Sequence, residues 1–257
     1  MMKRILYFVF ALILLLPGAG CQNKRTSKAS DKNLADTVSV KDTGYTGIKK
    51  YYSGLYLVKE VTFRKGIREG LMKTFYKSGK LYQTFWYKNG VREDTARWYF
   101  EDGRIFRETP YRNDTIDGTQ IQFYKTGKVR AKLGFKAGSR TPFLEEYSSD
   151  ERKITNYPRM VIKKKDDYNR DGTYKIALQL DRKNVKVNFY RGEYIDGLFM
   201  PKQYVKLNIN DFAGILELRK TGNPGRNYVG IIAEITTDLG NKYLTFMKID
   251  LPYNDLN

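Results

Sequence analysis

Residues 75–90 read FYKSGKLYQTFWYKNG, and this stretch decides the fold. Its aromatic and apolar runs are typical of β-strands. Each run ends in a turn sequence, Lys77-Ser78-Gly79-Lys80 after the first and Lys88-Asn89-Gly90 after the second. Glycine adopts the positive φ angles that tight turns need, and Asn-Gly is a strong hairpin signal. The stretch therefore predicts a β-hairpin.

The same pattern recurs on both sides of this hairpin with a constant period of about 24 residues, which indicates a repeat architecture. The columns that keep this spacing are Phe63, Tyr87, Tyr111 and Phe135; Phe75, Tyr99, Phe123 and Tyr147; Gly79, Gly103 and Gly127; and Lys80, Arg104, Lys128 and Arg152. A lone hairpin is marginally stable in water, whereas stacked hairpins bury a continuous apolar face. Residues 47–154 are therefore predicted to form one extended antiparallel sheet of hairpin repeats, in an all-β protein.

The pair of motifs FYxxGKL and YKNG, which residues 75–90 carry, resembles the MORN-repeat variant. Residues 123–129, FYKTGKV, repeat the first motif. The same units fill YwqK-type proteins, which carry an antitoxin label. The resemblance implies the repeat architecture and an antitoxin role as one alternative, and it brings no catalytic residue with it.

A second region, residues 155–257, lacks the period and contains about seven short strand patterns. This number of strands in about 100 residues predicts a β-sandwich. The predicted strands are Met160–Lys164, Thr173–Leu180, Val185–Tyr190, Tyr204–Ile209, Gly214–Arg219, Tyr228–Thr236 and Lys242–Ile249. The stretch from Gly225 to Asn241 resembles the last hairpin of an immunoglobulin-like domain, which would make Tyr228 its corner tyrosine.

The N-terminal residues 1–20 form a predicted export signal. Lys3 and Arg4 precede an unbroken apolar run, Ile5–Leu16. This run is too short for a membrane span, which needs about 20 residues, and it fits the apolar core of a signal peptide. The small residues Ala19-Gly20 then precede Cys21, as in a bacterial lipoprotein signal.

The resemblance to a lipoprotein signal implies that a lipid on Cys21 attaches the chain to a membrane. Gln22 is not the aspartate that retains some lipoproteins in the inner membrane, so we expect the periplasmic face of the outer membrane. Residues 21–46 are rich in polar side chains and are predicted to be a flexible tether.

The composition argues against several chemistries. The chain has no histidine and one cysteine, so the commonest general base and metal ligand are missing. No catalytic residue, metal ligand or cofactor is therefore predicted. The acidic turn from Asp166 to Asp171 could offer oxygen ligands to Ca²⁺, but it lacks the EF-hand alternation. The formal net charge of +19 is spread along the chain, and an exported protein meets no routine nucleic-acid target.

Two groups of residues are candidates for binding. The basic turn column with Lys80, Arg104 and Lys128 could dock an anionic polymer, or it could simply keep the turns soluble. Trp86 and Trp98 lie outside the repeat columns, so they are candidates for a surface contact, with a place in the sheet core as the alternative. The sequence thus favours a non-enzymatic protein that binds or scaffolds a protein or an envelope polysaccharide. An antitoxin is the first alternative, and a hydrolase that uses carboxylates alone is the second.

Overall fold

The computed structural model describes residues 44–210 and 212–257, and strands account for most of them. The strands form three antiparallel sheets, one of eleven strands and two of four. Between Gly44 and Asn257, apart from residue 211, no helix is long and apolar enough to cross a membrane. The all-β fold predicted from the sequence, a long hairpin sheet followed by a sandwich, is confirmed.

The eleven-stranded sheet, here called the repeat sheet, runs up and down in sequence order, with the short β7 pairing only to β6. Its strands are β1 (Gly47–Ser53), β2 (Tyr56–Arg64), β3 (Ile67–Phe75), β4 (Leu81–Lys88), β5 (Val91–Tyr99), β6 (Ile105–Arg112), β7 (Thr115–Ile116), β8 (Gly118–Phe123), β9 (Val129–Lys136), β10 (Ser139–Tyr147) and β11 (Lys153–Ile154). Each repeat supplies two neighbouring strands, so the sheet grows by one hairpin per repeat.

One edge of the repeat sheet consists of two-residue turns. Asn89 and Gly90 take φ angles of 50° and 85°. Positive φ at both central residues defines the type I′ turn, whose twist suits a hairpin. The pairs Lys65–Gly66 and Ala137–Gly138 have the same signs, and Asp114 takes φ 63° where the other copies have glycine. The period therefore repeats a backbone conformation even where it does not repeat a residue type.

The opposite edge begins with the two-residue Gly54–Leu55 turn of the first hairpin and continues with longer turns. Gly79 takes φ 81°, the amide of Gly79 donates to the carbonyl of Tyr76 at 2.9 Å, and the amide of Tyr76 donates to the carbonyl of Lys80 at 2.8 Å. The same two bonds recur in the turns that end at Arg104, Lys128 and Arg152. From β2 to β11, the two turn types predicted from residues 75–90 therefore alternate along the sheet.

The C-terminal region is a sandwich of two four-stranded sheets, in the orders β12-β13-β17-β16 and β15-β14-β18-β19. Its strands are β12 (Met160–Asp167), β13 (Thr173–Leu180), β14 (Val187–Arg191), β15 (Val205–Lys206), β16 (Ile209–Asn210), β17 (Ala213–Arg219), β18 (Tyr228–Thr236) and β19 (Lys242–Asp250). Fully buried side chains from both sheets share one core, among them Ile176, Leu218, Phe189 and Ile231. The kinship to immunoglobulin-like domains stays a prediction.

One predicted strand of the sandwich, Tyr204–Ile209, is wrong as a single element. It is divided into β15, which pairs with β14, and β16, which pairs with β17 in the other sheet. Between the two, Leu207 is buried and its amide donates to the carbonyl of Phe189 at 2.9 Å. The chain therefore crosses from one sheet to the other at Leu207, and burial of that side chain fixes the crossing. The chain also forms one helical turn, α1 (Tyr168–Asp171), where the sequence predicted a turn.

Candidate functional site: the two faces of the repeat sheet

Strand register assigns each side chain of the repeat sheet to one of two faces. Residues that pair across strands point to the same side, and their neighbours in sequence point to the other. We call the face that carries Phe85, Trp98 and Glu146 the docked face, because the sandwich contacts it. We call the face that carries Trp86, Arg97 and Glu145 the open face.

The docked face contains arginines whose guanidinium groups lie over aromatic rings. The guanidinium of Arg68 lies 4.6 Å from the ring centre of Tyr87, and that of Arg92 lies 4.5 Å from the ring of Tyr111. Arg107 lies 3.9 Å from the ring of Trp98. Such stacking is stabilising by about 0.5–2 kcal/mol per pair, with the larger values for desolvated pairs.

These stacks are set in a small aromatic core. Phe85, Tyr87, Ala96 and Trp98 are buried together, and the rings of Phe85 and Trp98 meet edge to face at 5.5 Å between centres. Burial raises the pKa of the Tyr87 and Tyr111 hydroxyls, although the neighbouring arginines act in the opposite direction. This part of the docked face is therefore a packed layer and not an exposed aromatic platform.

Asp114 adds a charged anchor at the edge of the same layer. Its Oδ1 accepts hydrogen bonds from the backbone amide and from Nε of Arg92, each at 2.9 Å. Burial acts to raise the pKa of Asp114, but the two bonds from Arg92 outweigh it, so the pKa is lowered. Arg92 is thereby held against both the Tyr111 ring and the next turn.

The far end of the docked face holds the sandwich. Four side chains there bind the turn between β18 and β19 or the first residue of β19. Gln122 donates to Asn241 Oδ1 (2.9 Å), Arg130 to the carbonyl of Leu239 (2.6 Å) and Arg140 to the carbonyl of Lys242 (3.1 Å). Glu146 accepts hydrogen bonds from Thr237 and Asn241. The sandwich therefore occupies the docked face over β8–β10.

Glu146 is the centre of this junction, with only 1% of its surface exposed. Its Oε1 accepts hydrogen bonds from Thr237 Oγ1 and from Asn241 Nδ2, each at 2.7 Å. Tyr157 lies beside it, and burial together with the nearby Glu146 carboxylate raises the pKa of the Tyr157 hydroxyl. A buried carboxylate is tolerated only where donors satisfy it, so Glu146 marks a fixed contact and not a mobile one.

The open face carries a row of paired charges. Glu60 lies between Lys50 (3.6 Å) and Lys73 (3.8 Å), Arg97 pairs with Glu108 (2.9 Å), and Glu145 lies between Lys132 (3.8 Å) and Lys153 (2.6 Å). All of these pairs join neighbouring strands. Each cross-strand pair of this kind is stabilising by about 0.2–1 kcal/mol.

The open face also exposes apolar side chains, and Trp86 is the largest of them. Trp86 is 47% exposed and pairs across strands with Leu71, which is also exposed. Phe143 lies exposed at the far end of the sheet. Exposed indole beside paired charges can stack on a sugar ring or pack against a protein surface.

The two tryptophans predicted as surface contacts thus lie on opposite faces. Trp86 is available on the open face, whereas Trp98 is 6% exposed under Arg107, so its indole is not available for a partner. The reason is the two-residue Asn89–Gly90 turn, which sets a register in which odd-numbered residues of β4 pair with even-numbered residues of β5. Two even-numbered residues on these two strands, Trp86 and Trp98, therefore point to opposite faces.

The basic turn column is exposed, as its position at the turns requires, and most of it is paired. Arg104 binds Asp102 at 2.7 Å, and hydrogen bonds from Arg104 lower the pKa of Asp102 to about 2. Lys128 pairs with Glu151 at 3.0 Å. Lys80 makes no ion pair with the residues that the structure describes. Within the described residues, Arg104 and Lys128 are therefore engaged in local ion pairs, and Lys80 is the member of the predicted set without one.

Two other predicted features fall elsewhere. Cys21 and its signal lie outside the described residues. In the acidic turn, Asp166 accepts a bond from the amide of Tyr168 (3.0 Å), Asp167 pairs with Lys165 (2.8 Å), and Asp171 is bound to Thr173. Within residues 44–210 and 212–257, no group of three acidic or cysteine side chains is arranged to hold a metal ion.

The sandwich also has a cleft, of about 1010 Å³, between the loop after β14 and the loop before β18. Its two arginines are engaged by neighbours, Arg226 with Glu193 at 3.1 Å and Arg191 with Asn257 Oδ1 at 2.6 Å. The sequence patterns gave no indication of this cleft.

Comparison with known families supports the repeat architecture. The family model for the MORN repeat variant matches residues 68–89 and 116–137, which lie on β3–β4 and on β7–β9. The second match begins two full periods after the first, so both matches keep the spacing of the repeat columns. No curated protein matches the chain. The chain is thus similar to MORN-variant proteins in its hairpin sheet, and such a sheet fits a binding or scaffolding role.

Proposed function

We propose that this chain is a non-enzymatic binding or scaffolding lipoprotein of the bacterial cell envelope, with the open face of the repeat sheet as its partner surface. A lipid on Cys21 attaches it to the periplasmic face of the outer membrane. The partner is a protein or a glycan. The absence of histidine from the chain supports a role without acid–base catalysis.

One observation carries the choice of surface. The docked face is filled, by its own arginine–aromatic layer at one end and by the sandwich at the other. On the open face, in contrast, the hydrogen bonds and ion pairs join strands of the same sheet, and Trp86 stands half exposed between them. A large aromatic ring that the fold leaves in solvent near paired charges is typical of the centre of a recognition surface.

Capture of partners from detergent-solubilised envelopes tests the surface. We expect the wild-type protein to retain a defined envelope protein or glycan, and Trp86→Ser to lose at least tenfold of it. Phe212→Ser is the matched control, because Phe212 is an exposed aromatic residue of the sandwich and lies outside the repeat sheet. Equal retention by wild-type protein and Trp86→Ser would contradict the assignment of the open face.

Metabolic labelling with a fatty acid tests the anchor separately. We expect the label to be incorporated by the wild-type chain and lost in Cys21→Ala, with the protein sedimenting in the outer-membrane fraction. An unlabelled wild-type chain would refute the lipoprotein assignment. The assignment of the open face as the partner surface is tested separately, by the capture experiment.

The antitoxin alternative predicts a different genetic result. Deletion of the gene would be toxic, and removal of a neighbouring toxin gene would relieve the toxicity. The envelope proposal instead predicts a deletion whose effect does not depend on a neighbouring gene.

A further inference from the structure

The tip of the first hairpin is the most exposed apolar feature of the described chain. The turn between β1 and β2 contains Gly54, at φ 59°, and Leu55. Leu55 is 97% exposed, and Tyr52 and Tyr56 on either side of it are 59% and 54% exposed. Soluble proteins seldom place a leucine and two tyrosines together at a protruding turn without a surface for them to contact.

The charges of this hairpin identify the type of surface. In the half of this hairpin nearer the tip, β1 and β2 carry Lys49, Lys50 and Lys59 against a single acid, Glu60. Glu60 pairs with Lys50 at 3.6 Å, and Lys59 lies 4.8 Å from the ring centre of Tyr51. An apolar tip with tyrosines beside it and cations behind it has the composition of segments that rest in the headgroup region of an anionic bilayer.

The chain length allows this contact. The stretch between Cys21 and Gly44 can span at most about 75 Å when fully extended. The tip lies about 24 Å from Gly47, the length of strand β1, which is well within the reach of this stretch. A lipid on Cys21 and the tip of the hairpin can therefore reach the same membrane surface.

A second copy of the chain is a poorer occupant of this edge. If two β1 strands paired antiparallel about their centre, Lys50 would lie opposite Lys50 of the other copy. Directly opposed like charges are destabilising in a sheet. An anionic lipid surface places its charge opposite the same lysines with the favourable sign.

We propose that the β1–β2 tip, with Leu55 at its apex, is a second membrane contact that inserts into the headgroup region of anionic bilayers. It rests on the proposed membrane attachment and adds an orientation to it. With the tip at the bilayer, the first hairpin lies next to the membrane and the sandwich projects away from it at the other end of the sheet.

Vesicle sedimentation tests the proposal with the chain from Gln22 to Asn257, which lacks the acylated cysteine and retains all the residues that the structure describes. The probes are vesicles of phosphatidylglycerol with phosphatidylethanolamine, and vesicles of phosphatidylcholine as the neutral comparison. We expect binding to the anionic vesicles, weakened by salt because the lysines contribute through screened charge. Leu55→Ser should lower the partition coefficient about tenfold, and the exposed-aromatic control Phe212→Ser should leave it within about twofold.

A spectroscopic variant separates insertion from loose adsorption. Leu55→Trp keeps a large apolar side chain at the apex, so it should retain binding and show a blue-shifted indole emission on anionic vesicles. Circular dichroism of each variant checks that the fold is intact. The proposal is overturned if the wild-type chain ignores anionic vesicles, if Leu55→Ser binds as well as wild type, or if sedimentation velocity shows a dimer that Leu55→Ser abolishes. Trp86→Ser should bind vesicles normally, so failure of the open-face proposal and failure of this one are distinguishable.

Discussion

Glu146 gives the sharpest test of how the repeat sheet and the sandwich are joined. The perturbation is Glu146→Ala, compared with Glu146→Gln. In the wild-type protein the carboxylate is buried, and it accepts bonds from Thr237 and from Asn241, whose amide is itself buried. Alanine removes the acceptor oxygen Oε1 and leaves these two donors without it at a closed junction. Glutamine keeps an acceptor oxygen and almost the same shape.

The magnitude follows from the two bonds. Hydrogen bonds to a charged acceptor contribute about 1.5–3 kcal/mol each, so their loss removes about 3–6 kcal/mol. The buried carboxylate also has a desolvation cost of several kcal/mol, which alanine relieves in part. We therefore expect Glu146→Ala to lower the free energy of unfolding by about 2–4 kcal/mol. Glu146→Gln retains neutral bonds of about 0.5–1.5 kcal/mol each and relieves the same cost, so it should stay within about 1 kcal/mol of wild type.

Urea denaturation is the assay, with tryptophan fluorescence reporting on the repeat sheet because Trp86 and Trp98 both lie there. Hydrogen exchange at the turn between β18 and β19 should accelerate in Glu146→Ala and stay near wild type in Glu146→Gln. If Glu146→Gln destabilised the protein as much as Glu146→Ala, the negative charge of Glu146 would be what holds the junction. The explanation by hydrogen bonds that a neutral oxygen can also accept would then be refuted. A loss below about 1 kcal/mol in Glu146→Ala would show that the junction does not depend on this side chain.

Three further predictions concern the turns, the arginine layer and the tyrosines. Gly90→Ala should cost about 1–2 kcal/mol in urea denaturation because Gly90 has φ 85°, and Gly90→Asn should cost less because asparagine tolerates this conformation; equal costs would contradict the explanation. Arg92→Lys should cost about 1 kcal/mol in the same assay, since lysine keeps the charge but its single ammonium cannot both lie over the Tyr111 ring and replace the Nε bond to Asp114. Burial raises the folded-state pKa of Tyr157, so this hydroxyl stays protonated when the unfolded chain ionises near pH 10. Stability should therefore fall as the pH rises above about 10, and Tyr157→Phe should reduce the slope; a slope unchanged in that variant would remove Tyr157 as a source.

The repeat period was sufficient to predict the repeat sheet because its turns depend on local chemistry. Gly79 and the pair Asn89–Gly90 have the positive φ angles that their residue types suggest. Asp114 shows the limit of that argument, because it takes the same conformation without being glycine and is held there by Arg92. Register across the turns then follows from turn length, which is a local property as well.

The candidate sites were less predictable because they depend on contacts between residues far apart in sequence. Trp86 and Trp98 have the same composition signal, and only strand parity across the intervening turn separates an exposed ring from a buried one. That signal was present in the sequence at the Asn89–Gly90 turn. Glu146 gave no signal, since the residues that bind it are 91 and 95 positions away. The tip at Leu55 was not identified either, because the sequence alone does not show that Tyr52, Leu55 and Tyr56 are exposed together at one turn.

The arginine layer changes how the basic composition is to be understood. Over the aromatic core of β3–β6, the neighbours that pack on Phe85 and Trp98 are other side chains of the same sheet, including Arg92 and Arg107. Arginine covers a ring with a flat, weakly hydrated group while its edge still reaches water. Guanidinium planes thus take the place that a second layer of apolar residues has in a sandwich. Part of the net charge of +19 is therefore a consequence of building a sheet this long, and a charge-driven partner is not needed to explain it.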